Sequence, residues 1–199
     1  MSPRLIILVI AAFLVGGAIA LGLFVFKSPP SGQTQIVSGK ALIGGPFTLT
    51  DHEGRRVTEK DFAGKHKLVY FGYTYCPDIC PAELQVMSAA IDALGDKGEK
   101  VTPVFITVDP ERDTVEQMKS YVGNFHKRLV GLTGSPEDIK KAAKAYRVYY
   151  ARAKSEESTD YLMDHSSIVY LMSPDGEYLA HFAYGTGVEK MADGIKKFL

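Results

Sequence analysis

Two cysteines, Cys76 and Cys80, stand in the run Tyr73-Thr74-Tyr75-Cys76-Pro77-Asp78-Ile79-Cys80-Pro81, and the chain has no others. Proline is favoured at the first position of a helix, where its missing N–H has no partner anyway. The run therefore predicts a helix from Pro77, with Cys76 as its cap and Cys80 in its first turn. Both sulfurs then lie near the positive end of the helix dipole, which favours thiolate, the form that attacks disulfides and binds metal. On a regular helix, Cβ atoms four residues apart are about 5–6 Å apart, whereas a relaxed disulfide needs about 3.5–4.5 Å. A disulfide here demands adjustment at the helix start and is expected to be labile. A metal ion, with Zn–S bonds of about 2.3 Å as a guide, spans the wider gap. The spacing leans to metal without excluding redox exchange. Inert packing is the alternative, since free Cys is commonly buried, but a strand–helix junction rich in proline is a poor place for it. Asp78 reads as a first-turn acid complementing the dipole, or as a modulator of metal affinity.

Two thiolates leave a metal site incomplete, so a third ligand is expected. Of the five histidines, His52 lies in a polar turn, His66 and His126 sit beside lysines, and His181 lies in a strand; each reads as a surface or packing residue. His165 differs. It closes the long polar loop 154–164 and opens a strand that the sheet would bring beside the first helix; loops of that length are commonly functional. Thiolate selects copper(I) or zinc, and imidazole suits copper and zinc. A loop-capping role remains the alternative for His165. Met163 could add a thioether, though core filling is the usual role of Met. Asp109-Pro110-Glu111-Arg112-Asp113 reads as a turn and helix cap, or as a charged rim for partner docking. Tyr73, Tyr75, Tyr149 and Tyr150 form a contact surface or pack beside strands, and Lys140, Lys141 and Lys144 form a solvated helix face. No phosphate-binding glycine loop, serine triad or paired-carboxylate site is evident.

The elements that must position these residues follow from periodicity. Phe47-Thr48-Leu49 and the turn Asp51-His52-Glu53-Gly54 predict a hairpin. Lys67 to Tyr73 and Val101 to Val108 read as buried strands, and Pro77 to Leu94 as a helix with Leu84, Met87, Ile91 and Leu94 on one face. Asp113-Thr114-Val115-Glu116 predicts a capping box and a helix to about Phe125; Ser135-Pro136-Glu137-Asp138 opens another. Val148 to Ala151, Ser167 to Met172 and Tyr178 to Phe182 read as strands, the last two joined by the turn Ser173-Pro174-Asp175-Gly176. A helix from Val188 to Phe198 closes the chain. The expected class is α/β: a mixed sheet covered on both faces, similar to thioredoxin.

The chain has 199 residues, 46% of them apolar and 23% charged, and a formal charge of zero. That excludes disorder and collagen and argues against nucleic acid, which needs a basic face. Leu5 to Phe26 is an unbroken apolar run, spanning roughly 33 Å as a helix and so able to cross a bilayer. Arg4 precedes it, which places the amino end inside and the remainder outside. A signal peptide cleaved after Ala18-Ile19-Ala20 is the alternative, but it would leave Leu21 to Phe26 as an exposed apolar end. The expected organisation is a membrane anchor over 1–27, a Pro/Gly/Ser/Gln linker over 28–45 and a globular domain over 46–199. No Arg-rich amphipathic leader is evident, so the expected location is the bacterial inner membrane with the domain in the periplasm.

The cysteine run, the segment Val108-Asp109-Pro110-Glu111-Arg112-Asp113-Thr114, the pair Asp164-His165 and the turn Pro174-Asp175-Gly176, in that order, closely resemble the SCO/SenC family, and the likeness covers about Pro46 to Lys197. The resemblance implies a thioredoxin-fold copper protein that assists assembly of the dinuclear copper centre, CuA, of cytochrome c oxidase, with copper(I) or copper(II) held by Cys76, Cys80 and His165. The partners it implies are the oxidase subunit carrying CuA and other periplasmic copper chaperones. Some members of the family are assigned thiol–disulfide reductase activity, in which Cys76 and Cys80 would be the catalytic pair. Against a general oxidoreductase stand the Cys-x3-Cys spacing and the absence of a proline before Ser167. A peroxidase is a weaker reading, because Thr74 is only two residues before Cys76.

Overall fold

The structure, a computed structural model, describes residues 42–153 and 161–199. The apolar run 5–26, nearly all of the linker and residues 154–160 lie outside the described residues. No helix among the described residues is long and apolar enough to cross a membrane.

In chain order the elements are β1 (Thr48–Asp51), β2 (Arg56–Thr58), β3 (His66–Gly72), α1 (Ile79–Ala93), β4 (Val101–Thr107), α2 (Val115–Val122), β5 (Val130–Thr133), α3 (Pro136–Ala145), β6 (Tyr150–Arg152), β7 (Met163–His165), β8 (Ile168–Met172), β9 (Tyr178–Ala183) and α4 (Val188–Lys196). Seven strands make one mixed sheet in the order β2-β1-β5-β4-β3-β8-β9, and β6 and β7 pair separately. The pairings β3–β4 and β4–β5 are parallel; β1, β8 and β9 join antiparallel. The continuous apolar runs of β3 and β4 occupy the centre because both their faces are covered. On one face Tyr70 stacks on Phe105 at 6.1 Å, and Tyr121 of α2 meets Phe105 at 5.6 Å; α1 packs on α4. On the other, Phe71 meets Tyr146, the residue that ends α3, at 5.3 Å. This is the thioredoxin-like arrangement expected.

Three local outcomes differ from the sequence reading. First, α1 begins at Ile79 with Asp78 as its cap, not at Pro77. A helix starting at Pro77 would need the N–H of Pro81 to bond the Pro77 carbonyl, and proline has none. Starting at Ile79 puts Pro81 third, where no N–H is needed. Second, Thr114, not Asp113, caps α2, its hydroxyl accepting from the Gln117 N–H at 3.2 Å; Asp113 is fully buried. Third, His165 is not on the sheet. It lies in β7, opposite Tyr150 of β6, while β8 runs beside β3. The strand β5 was not read from the sequence: Val130-Gly131-Leu132-Thr133 is too short to show a period. By contrast Ser135 caps α3 with Pro136 at its first turn, and Lys140, Lys141 and Lys144 are exposed, both as expected.

Candidate metal centre

The cysteine turn hangs from the end of β3. Gly72 is required there by close approach: a Cβ would stand 2.8 Å from the Cys80 sulfur and 2.9 Å from the Phe105 ring. The chain then turns, with the Cys76 N–H donating to the Tyr73 carbonyl at 3.3 Å, and enters α1. Cys76 therefore precedes the helix and is half-buried, while Cys80 is its second residue and is fully buried. Both thiols are free. The Cys80 N–H, one of the first-turn donors that no helical carbonyl can satisfy, donates to the Cys76 sulfur at 3.3 Å. The sulfur thus takes the place of a capping oxygen.

That arrangement separates the two thiols electrostatically. Cys76 is pushed down to about 3, chiefly because the Cys80 thiol donates to it, with help from the His165 side chain and the backbone N–H groups of Cys80 and Asp78. Cys80 moves the opposite way, since it keeps the shared proton and is buried. The pair holds one thiolate and one thiol, with the thiolate on the more accessible sulfur.

His165 completes the group from 85 residues away. Its Nε2 lies 3.4 Å from the Cys80 sulfur. Its Nδ1 lies 3.3 Å from the Ser166 carbonyl oxygen, which can accept an N–H there and so leave Nε2 free to serve as a metal donor. The ring meets Tyr73 edge-on at 5.9 Å and Tyr70 at 6.1 Å, and the Tyr70 hydroxyl donates to the Cys80 sulfur at 3.8 Å. A sulfur and a nitrogen bound to one tetrahedral ion stand about 3.5 Å apart, so the spacing and the donor types fit a soft or borderline cation. Among the described residues no three His, Cys, Asp or Glu side chains are drawn to full metal-ligand spacing; the two sulfurs and the imidazole are neighbours joined by hydrogen bonds.

The other candidates have other partners. The His52 Nδ1 accepts from the Gly131 N–H, the His126 Nδ1 accepts from the Arg128 N–H, and His181 bonds the Tyr178 hydroxyl. His66 is half-buried at the start of β3. Met163 packs against the core. Asp78 is exposed and makes no side-chain cap bond. Tyr73 is buried, whereas Tyr75 and Tyr149 are exposed.

Several residues that position the site escaped the sequence reading. Asp113 accepts from the Thr74 N–H at 3.0 Å, the Thr74 hydroxyl at 2.7 Å and the Thr107 hydroxyl at 2.5 Å, and so anchors the turn two residues before Cys76. Only its surplus over Thr114 as a capping residue could have signalled this. Glu83, one turn beyond Cys80 on α1, is buried with Oε1 unpartnered. Burial raises its pKa, with the Gly185 N–H opposing. A carboxyl raised on folding stabilises most below its ordinary value and loses that contribution as pH rises. Glu83→Gln should therefore gain about 1 kcal/mol over wild type at pH 8 and nothing at pH 4, read by denaturant unfolding; a gain independent of pH would contradict the assignment.

Comparison with known proteins agrees with this description. Residues 36–199 match the SCO1/SenC family. The mitochondrial SCO1 homolog 1 of Arabidopsis thaliana is 53% identical over 161 residues, which are 80% of this chain and 48% of that protein; the chain thus spans about half of that relative's length. Among solved structures, Arabidopsis thaliana ScoI with copper bound superposes with a TM-score of 0.74 at 52% identity, covering 78% of this chain and 96% of that one. Bradyrhizobium japonicum ScoI with copper bound gives 0.72 at 44% identity, covering 79% and 99%.

Proposed function

This chain belongs to the SCO1/SenC family, and from that premise we propose that it is a membrane-anchored copper chaperone that binds copper through Cys76, Cys80 and His165 and delivers it to the CuA centre of cytochrome c oxidase. The observation that carries the reading is the approach of the His165 Nε2 to the Cys80 sulfur at 3.4 Å, beside a thiolate on Cys76. Two thiolates and one imidazole suit copper in either oxidation state. Loading expels the proton that Cys80 holds, because a thiolate is the ligand. Three protein donors leave a position at which an acceptor thiolate can enter, and the half-exposed Cys76 is the sulfur best placed to meet it. Ion then passes by ligand exchange without release to solvent. Residues 5–26 are proposed to hold the domain at the periplasmic face of a bacterial inner membrane, where periplasmic copper chaperones would supply the ion.

The test uses the full-length protein in detergent micelles. Loaded with copper, it should generate the CuA spectrum on a copper-free oxidase subunit. After oxidation of Cys76 and Cys80 to a disulfide it should take up copper at least about 100-fold more weakly, because the disulfide supplies no thiolate. Equal uptake by the two forms would overturn the proposal.

The thiolate on Cys76 supports a second reading, a thiol–disulfide reductase for the oxidase cysteines. Cys76 would attack the acceptor disulfide, releasing one acceptor thiolate. Cys80 would then resolve the mixed disulfide, so that the acceptor gains two thiols and this chain gains one disulfide. Copper-free reduced protein should then restore a disulfide-bonded oxidase subunit; absence of thiol transfer would exclude the reading.

A further inference from the structure

The hairpin that carries His165 consists of two strands of three residues each, paired, among the described residues, only to each other. Such a ladder is marginal by itself, so something else must hold the imidazole against the sulfurs. The contacts converge on one side chain. Tyr161, four residues before His165, donates its hydroxyl to Asp109 at 2.7 Å. The other oxygen of Asp109 accepts from Arg112 Nε at 2.5 Å, and Asp109 itself is buried. The Arg112 guanidinium lies 3.7 Å from the Tyr161 ring centroid, 4.7 Å from that of Tyr75 and 5.8 Å from that of Tyr73. It is therefore packed between the hairpin and the residues that lead into Cys76. One of its terminal nitrogens is buried without a hydrogen-bond partner among the described residues, so beyond the pair with Asp109 the group is held by ring contact. On the other strand of the hairpin, Arg152 stacks on Tyr161 at 4.2 Å and pairs with Glu111. One residue beyond Arg112, Asp113 grips Thr74. A single five-residue segment thus fastens both limbs of the donor set.

We propose that Arg112 is a positioning residue: stacked on Tyr161 and clamped by Asp109, it pins the His165 hairpin to the segment that anchors the cysteine turn, and so sets how much of the time the imidazole faces the two sulfurs. The inference rests on the reading of Cys76, Cys80 and His165 as the donor set. A planar, delocalised cation is required, because an ammonium at the end of a flexible stem neither stacks nor forks in this way.

The experiment compares wild type with Arg112→Gln, Arg112→Lys and Tyr161→Leu in the full-length protein. In the copper-free reduced state, amide hydrogen exchange at 150–152 and 163–165 should quicken about tenfold or more in all three variants, with β3 and β4 unchanged. In the copper(II) state, affinity should fall about 10- to 100-fold, the range typical when a ligand's supporting contacts are lost, and the spectroscopic coupling to imidazole nitrogen should weaken. Lysine should fail to restore either property. Tyr161→Leu keeps the Arg112–Asp109 pair, so it tests the pin even if an unpaired Asp109 unfolds the arginine variants. Wild-type exchange in the hairpin of Tyr161→Leu, or full rescue by lysine, overturns the proposal. His165→Ala serves as the control: were copper binding indifferent to it while hairpin exchange still responded to Arg112, the donor-set reading would fail and the pin would stand.

Discussion

His165→Ala should lower the affinity of the full-length protein for copper by at least about 100-fold, since loss of an outer supporting contact alone costs a metal site about 10- to 100-fold. In the proposed donor set the imidazole comes from outside the cysteine turn, and its approach to sulfur is set by the Ser166 carbonyl behind it and by two tyrosine edges beside it. The thiol chemistry should change far less. Cys76 draws its largest support from the Cys80 thiol, and after losing the smaller contribution of His165 it keeps that thiol and the backbone N–H groups, so the rate at which Cys76 is alkylated should stay within a few-fold of wild type. Metal content, copper titration and the thiolate-to-copper absorption of the two proteins decide the matter. Native copper affinity in the variant would remove His165 from the donor set and the chaperone reading with it.

Asp113→Ala should destabilise the fold by about 3–5 kcal/mol. The carboxylate accepts from one backbone N–H and two hydroxyls, all buried, and each donor left unpaired costs about 1–3 kcal/mol. The sum is reduced because threonine hydroxyls can turn to new acceptors and Gln117 already donates to the Thr74 oxygen. Against a total stability of about 5–15 kcal/mol this is a large fraction. Asp113→Asn keeps the volume and one acceptor and should lose less. Guanidinium unfolding measures both. A loss below about 1 kcal/mol from alanine would show that the network does not hold the turn. Because Thr74 precedes Cys76 by two residues, the alanine variant should also show a heterogeneous alkylation rate at Cys76 while still folded.

The sequence was most informative where structure is local. The Cys-x3-Cys spacing, the apolar runs of β3 and β4, the Ser135 cap with its proline and the Ser173–Gly176 turn depend on residues within a few positions of each other, and their propensities can be read directly. Family membership was legible for the same reason: it rests on short runs in a fixed order. Two capping residues side by side, Asp113 and Thr114, showed the limit of local reading. Either can cap a helix, and which one does so was settled by Thr74 and Thr107, which claim the Asp113 carboxylate in the core.

From its own residues the sequence determined that a thiol pair would stand at a strand–helix junction and singled out one of five histidines as its partner; that Pro81 delays the helix to Ile79 emerged only in the structure. Only the folded chain decided that this histidine would leave the main sheet, turn its Nε2 to a sulfur 85 residues earlier and be tied there through Tyr161, Asp109 and Arg112. The division has one physical cause. Spacing along a helix or turn is set by backbone geometry and survives in any fold, whereas contacts across tens of residues exist only after burial has excluded water and left each buried charge and hydroxyl to find its partner in space.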